Sequence, residues 1–134
     1  MQPKISIVTI TFNSESTVED TIKSVVSQDY PNLEYIIIDG GSKDGTLEIV
    51  DRYRDRIAKV VSEPDKGISD AFNKGIRNAT GDIIGIINSD DILLPGALSA
   101  VAAAYEEEVG VYRGNIYVWD SESDTKILAY PSMK

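Results

Sequence analysis

Four short runs of mainly branched apolar residues, Lys4 to Thr11 (KISIVTIT), Leu33 to Asp39 (LEYIIID), Ala58 to Ser62 (AKVVS) and Ile83 to Ile87 (IIGII), are separated by stretches whose apolar residues recur at helical spacing. The runs do not alternate cleanly between apolar and polar, which is the pattern of strands covered on both faces. Strands that alternate with helices imply parallel neighbours, because a parallel pair needs a crossover, and the helices then cover the two faces of the sheet. The expected class is α/β, with a mostly parallel sheet. Two further strands, Val111 to Trp119 and Lys126 to Tyr130, are expected around the polar SESD as a small hairpin.

The helices follow from the same spacing rule. Ser16 and Glu19 stand at capping-box distance, and Val18, Ile22, Val25 and Val26 predict a first helix to about Gln28, ended by Tyr30-Pro31-Asn32. Thr46 is placed to cap a second helix with Leu47, Val50, Tyr53 and Ile57 inward. Ile68, Ala71, Phe72, Gly75, Ile76 and Ala79 mark the inward stripe of a third, and Pro95 suits the first turn of a fourth. With 134 residues and no linker or repeat, the chain reads as one domain, residues 1–134.

Composition removes several kinds of chemistry. A formal charge of -9 argues against a general phosphate-backbone binder, so no nucleic-acid partner is expected. The chain has neither Cys nor His, which excludes thiolate chemistry, the commonest general base and the commonest transition-metal ligand. Any bound metal should be a hard one held by oxygens, Mg²⁺ or Mn²⁺. No apolar run is long enough to cross a membrane and the start lacks a secretory pattern, so a cytoplasmic location is expected.

In open parallel sheets, ligands bind beyond the carboxyl ends of the strands. Here those ends carry Thr11-Phe12-Asn13, Asp39, the loop SEPDKG with Lys66, and Asn88-Ser89-Asp90-Asp91. Adjacent carboxylates in a crevice repel, and a divalent ion facing a diphosphate resolves the conflict. The pair Asp90 and Asp91 equally fits a solvated turn or a helix cap. Asp39 has the position to bond a ribose or base and also the position to cap the GGSKDGT turn. Phe12 offers a ring on which a nucleobase can stack, or simple loop packing. Lys66 reads as a diphosphate partner or a solvated loop residue. The glycine-rich GGSKDG follows the wrong strand for a dinucleotide fingerprint and lacks the order of a phosphate-binding P-loop.

Taken in order, SIVTITFN, SVVSQDYPNLEYIIIDGGSKDGT, SEPDKGISDAFNKGIRNATGDIIGIINSDD and LLPGAL resemble the amino-terminal half of glycosyltransferase family 2, over roughly residues 4 to 115. The resemblance implies a GT-A fold, Rossmann-like, and a metal-dependent transfer of sugar with inversion from a nucleoside-diphosphate sugar, the uridine form first. The acceptor it implies is a hydroxyl on a saccharide or lipid-linked molecule at the inner membrane face, as in surface polysaccharide synthesis. By position, Thr11, Phe12 and Asp39 match the pocket for the donor's base, and Lys66 falls in the segment approaching the nucleotide. Asn88, Ser89 and Asp90 match the family's Asp-x-Asp motif, with Asn88 and Ser89 toward the donor, Asp90 on the metal and Asp91 assisting. Asn88 replaces the usual first acid and supplies no charge. The family's general base lies well beyond this motif, and no segment after Asp91 matches it, so the chain is expected to be truncated on the acceptor side. A donor-binding module without turnover is the alternative.

Overall fold

The computed structural model describes residues 2–104 and the strand residues 116–120 and 125–129. Strands β1 (Ile5–Thr11), β2 (Leu33–Asp39), β3 (Lys59–Ser62) and β4 (Ile83–Asn88) form one parallel sheet in the order β3-β2-β1-β4. The chain divides into two compact units, Met1–Ala104 and Tyr105–Lys134. Within the second, β5 (Ile116–Asp120) and β6 (Thr125–Ala129) pair antiparallel, with Ile116 opposite Ala129. The remaining positions of the expected hairpin, among them Glu122 and Asp124, lie outside the described residues.

Side-chain alternation along β1 and β2 divides the core between the two faces of the sheet. Ile5 and Ile7 of β1, with Tyr35 and Ile37 of β2, pack beneath Val18, Ile22 and Val25 of α1 (Val18–Val26), Val50 of α2 (Thr46–Asp51) and Leu98 of α4 (Ala97–Ala104). Val8, Ile36 and Ile38 face the other way, against Ala71 of α3 (Ile68–Asn78). Each fully covered Ile or Val contributes about 1.5–3 kcal/mol of transfer free energy. Tyr35 is enclosed with its hydroxyl 2.8 Å from Thr9 Oγ1, and burial pushes that phenol up to about 12.

Several local expectations give way to competing bonds. The capping box at Ser16 and Glu19 does not form: α1 begins after Thr17, which makes no side-chain cap, while the Ser14 carbonyl accepts the Thr17 and Val18 N–H groups. Glu19 instead accepts the Tyr53 hydroxyl at 2.8 Å. Thr46 is not its helix's cap, because the Asp44 carboxylate accepts both its N–H (3.0 Å) and its hydroxyl (2.5 Å). The helix stops at Asp51, and a 3₁₀ turn, Arg54–Arg56, brings Ile57 into the core. Pro95 lies before α4, not in it; the Leu94 carbonyl accepts the Ala97 N–H across Pro95-Gly96, with Gly96 at φ 79°. Proline followed by a positive-φ glycine is the order of a type II turn.

The apolar stripe of α3 is narrower than its sequence suggests, with Ile68 60% and Ile76 46% exposed. Gly75 explains the geometry: it lies against Val8, and a Cβ at this position would collide with Val8 Cγ1. The close approach seats α3 over β1 and β2. On the same face, Ile84 and Ile86 of the edge strand β4 are left 41% and 39% exposed. Gly75→Ala should therefore destabilise the protein by about 1–3 kcal/mol through overpacking, although alanine is the better helix former, as denaturant unfolding would measure.

At the amino-terminal edge of the sheet Glu34 gathers Ser6, Thr80 and Lys4. Its carboxylate accepts the Ser6 hydroxyl (2.7 Å) and the Thr80 N–H and hydroxyl (both 2.9 Å), with Lys4 Nζ at 3.4 Å. Burial alone would raise its pKa, but these donors outweigh burial and hold it down to about 2. A carboxylate depressed in the folded state stabilises above its unfolded value, and that contribution is lost as pH falls toward the folded one. Glu34→Gln should cost about 1–2 kcal/mol at neutral pH. Urea titrations from pH 7 downward should show the gap between variant and parent closing between the ordinary glutamate value and about 2.

Candidate functional site

At the carboxyl ends of β1 and β4, where the strand order reverses direction, a cavity of about 370 Å³ is lined by Ile10, Thr11, Phe12, Ser14, Asp65, Gly67, Ile68, Ala71, Asn88 and Ser89. Open α/β sheets bind ligands beyond the carboxyl ends of their strands, at this kind of switch point. Of the residues expected from sequence, Thr11, Phe12, Asn88 and Ser89 are brought together on the wall. Phe12 is 59% exposed at the rim, an aromatic surface without a core role. Gly67 and Ile68 bring the first turn of α3 to the cavity, so the positive end of its dipole adds to the local field.

Two buried oxygens of the wall residues, Thr11 Oγ1 and Asn88 Oδ1, have no hydrogen-bond partner among the described residues. An unsatisfied buried polar atom costs about 1–3 kcal/mol, so such atoms in a native site call for an explanation such as a ligand. Ser89 is positioned by its hydroxyl, 2.9 Å from that of Ser14, which joins the β1 and β4 loops.

Asp39 sits at the root of the site and does not line the cavity. It is fully enclosed, and its carboxylate accepts four hydrogen bonds: Gly41 N–H (3.0 Å), Ser42 N–H (2.9 Å) and Ser62 Oγ (2.8 Å) on Oδ2, and Ser42 Oγ (2.5 Å) on Oδ1. Of the two roles open to it in the sequence, these are the bonds of the turn cap. Through Ser42, whose Oγ accepts the Asn13 N–H at 2.8 Å, the cap extends to the turn after β1. Asn13 holds φ 47°, a left-handed conformation that asparagine tolerates, and its Oδ1 accepts the Lys43 N–H at 2.9 Å. GGSKDG is thus a buttress for the β1 turn.

Asp90 and Asp91 are exposed on the turn leaving β4, where the Asp91 N–H bonds the Asn88 carbonyl at 3.0 Å. Among the described residues neither carboxylate enters a salt bridge. No group of three or more acidic side chains converges among the described residues. A cation here would meet at most this pair of acids, and Mg²⁺ is commonly held by one or two carboxylates with water and substrate phosphate completing its shell. The all-oxygen donor set fits such an ion. Lys66 is exposed in the α3 entry loop, where its N–H bonds Asp70 Oδ2 at 2.9 Å, and its side chain is not part of the wall.

Sequence reasoning passed over Ser14 and Asp65. Asp65 lines the cavity and accepts the Gly67 N–H at 3.1 Å. Gly40 lies against both Asp65 and Phe12, and a Cβ there would come within 2.7 Å of Asp65 Oδ2. The only signal for Asp65 was its place in the loop after β3; Ser14 had none, since its role depends on a residue 75 positions away. If the orphaned hydroxyl of Thr11 serves a ligand and not the fold, Thr11→Val should raise stability by about 1 kcal/mol. Thermal unfolding of the unliganded protein is the check.

The profile of the family described as "Glycosyl transferase family 2" matches residues 6–133. A Campylobacter jejuni protein, GalNAc(5)-diNAcBac-PP-undecaprenol beta-1,3-glucosyltransferase, is 33% identical over 120 residues, covering 87% of this chain and 39% of that protein. Among solved structures, S. aureus TarS in complex with UDP-GlcNAc superposes with a TM-score of 0.69 at 28% identity, over 75% of this chain and 30% of that one. The mannosyltransferase PcManGT from Pyrobaculum calidifontis, in complex with GDP-Man and Mn²⁺, gives 0.67 at 30% identity, over 78% and 32%. The chain spans between a quarter and somewhat over two fifths of the length of the curated relatives it matches.

Proposed function

The chain belongs to glycosyl transferase family 2, and from that membership we propose that it forms the donor-binding part of a metal-dependent, inverting glycosyltransferase that uses a nucleoside-diphosphate sugar, the uridine form first. The observation that carries this reading is the cavity at the β1/β4 switch point, with two buried oxygens in its wall and two carboxylates on the adjoining turn, the oxygens unbonded and the carboxylates outside any salt bridge among the described residues. The likeness to proteins solved with UDP-GlcNAc and with GDP-Man and Mn²⁺ supports the donor class and the cation.

In this reading Phe12 stacks on the base, while Thr11 and Asn88 spend their unpaired oxygens on donor hydroxyls or base edges. Ser89, fixed by Ser14, orients the donor beside the turn, and Lys66 swings toward the diphosphate from the α3 entry loop. Asp39 supports the pocket from beneath; a direct contact with the base would require the Gly40–Ser42 turn to give up part of its cap. Asp90 holds Mg²⁺ or Mn²⁺, with Asp91 assisting through water, and the bound ion would supply charge against the leaving diphosphate. Asn88 adds a neutral oxygen where a second acid would bring charge, which makes for a weaker cation site.

The acceptor is a hydroxyl on a saccharide or lipid-linked molecule, supported by the lipid-linked glycan in the name of the Campylobacter jejuni relative. Such an acceptor fits a site on the cytoplasmic side, at the inner membrane face. Among the described residues no helix is long and apolar enough to cross a membrane.

Calorimetry with uridine and guanosine diphosphates, with and without Mn²⁺, tests the reading. Nucleotide affinity should rise with Mn²⁺ in the parent, and Asp90→Asn should remove most of that gain while leaving the unfolding temperature unchanged. Equal affinity with and without the ion in the parent protein would defeat the metal site. Donor binding without release of nucleoside diphosphate in the presence of acceptor would leave a binding module.

A further inference from the structure

α1 carries a second stripe beside its apolar one. Thr21, Ser24 and Gln28 stand at spacings of three and four residues, so they share a side of the helix and its carboxyl-terminal extension. Thr21 is fully buried and Gln28 is 9% exposed, a costly placement for polar side chains unless each is bonded. All three are bonded, and their partners across the gap are main-chain atoms of the segment that follows Asp90. Thr21 Oγ1 donates to the Asp91 carbonyl at 2.6 Å. Ser24 Oγ accepts the Leu93 N–H at 3.0 Å. Gln28 is bidentate, its Nε2 donating to the Leu94 carbonyl at 2.9 Å and its Oε1 accepting the Leu98 N–H at 3.3 Å.

The stripe is also tied to itself. Ser24 Oγ donates to the Thr21 carbonyl at 2.7 Å, and Gln28 Nε2 reaches the Ser24 carbonyl at 3.0 Å. The loop is therefore braced by a helix whose other side is locked into the core through Val18, Ile22 and Val25. Every cross-gap bond lands on main chain, so the brace acts on the path of residues 91–98 in addition to the core packing of Leu93 and Leu98. Asp91, the first residue held, follows Asp90 directly.

We propose that Thr21, Ser24 and Gln28 are positioning residues for the acidic turn: they set the main chain at Asp91, and so the direction in which the Asp90 and Asp91 carboxylates project toward a cation. This inference rests on the metal-site reading above and adds three residues to it that touch neither ion nor nucleotide. Groups that orient a ligand from behind commonly change metal affinity by about 10–100-fold when removed.

The experiment compares Thr21→Val, Thr21→Ser, Ser24→Ala and Asp90→Asn in the full chain, measuring uridine diphosphate affinity by calorimetry with and without Mn²⁺, alongside thermal unfolding. The expected result is that Thr21→Val and Ser24→Ala weaken the Mn²⁺-dependent affinity about tenfold, leave the metal-free affinity within about twofold, and that Thr21→Ser restores the parent behaviour. If Asp90→Asn abolishes the Mn²⁺ effect while Thr21→Val and Ser24→Ala retain it in full, the positioning role is overturned and the metal site survives. If Asp90→Asn itself leaves the Mn²⁺ effect intact, the metal site fails and this inference falls with it. Ser24→Ala, at a part-buried position, decides the matter should Thr21→Val not fold.

Discussion

The enclosed carboxylate of Asp39 ties three strand ends together. It sits at the last residue of β2, receives Ser62 from the end of β3, and through Ser42 fixes the turn that leaves β1. A carboxyl group so completely removed from water is tolerated only because four donors surround it; removing a partner would leave an unsatisfied acceptor in the interior. The position of Phe12 and the start of α1 depend on this knot, since Asn13 and Ser14 are held by the loop that Asp39 caps. Asp39 thus acts on the cavity through the geometry it imposes on its neighbours.

Given that frame, the order β3-β2-β1-β4 explains why a cavity opens where it does. The tips of β1 and β4 lie side by side and lead on to α1 and α4 on one face, while the first turn of α3 comes over from the other face, so the gap lies between those two tips and the start of α3. The walls of that gap tolerate what the rest of the core does not. Elsewhere among the described residues buried polar side chains are paired, as with Thr9 and Tyr35, whereas Thr11 and Asn88 keep oxygens unmatched. Stability has been given up locally in a place where a ligand would recover it.

The parallel sheet was readable because its strands are runs of branched apolar residues covered on both faces, and β2 matches its sequence reading from Leu33 to Asp39. Helix starts were less legible. Ser16 and Glu19 have the spacing of a capping box, but the Tyr53 hydroxyl, which donates to Glu19, and a turn at Ser14 decide the matter, and both are set by tertiary neighbours. The strand-end residues Thr11, Phe12, Asn88 and Ser89 could be gathered in advance because the fold class alone predicts which ends converge. Asp65 could not be singled out, since its approach to the cavity depends on Gly40 having no side chain. The bracing of the acidic turn by α1 was equally hidden: Thr21, Ser24 and Gln28 look like ordinary helix positions until the segment some 70 residues later folds against them.

The seat of α3 over β1 and β2 has an outcome for handling the molecule. Ile84 and Ile86 stay partly bare on the α3 side of β4, and β4 ends the sheet among the described residues, leaving its outer row of amide and carbonyl groups free to template another strand. A border of this kind favours strand-to-strand association in competition with refolding. Replacing Ile84 with lysine would blunt that border at the end of β4 away from Asn88 and Ser89 of the cavity wall.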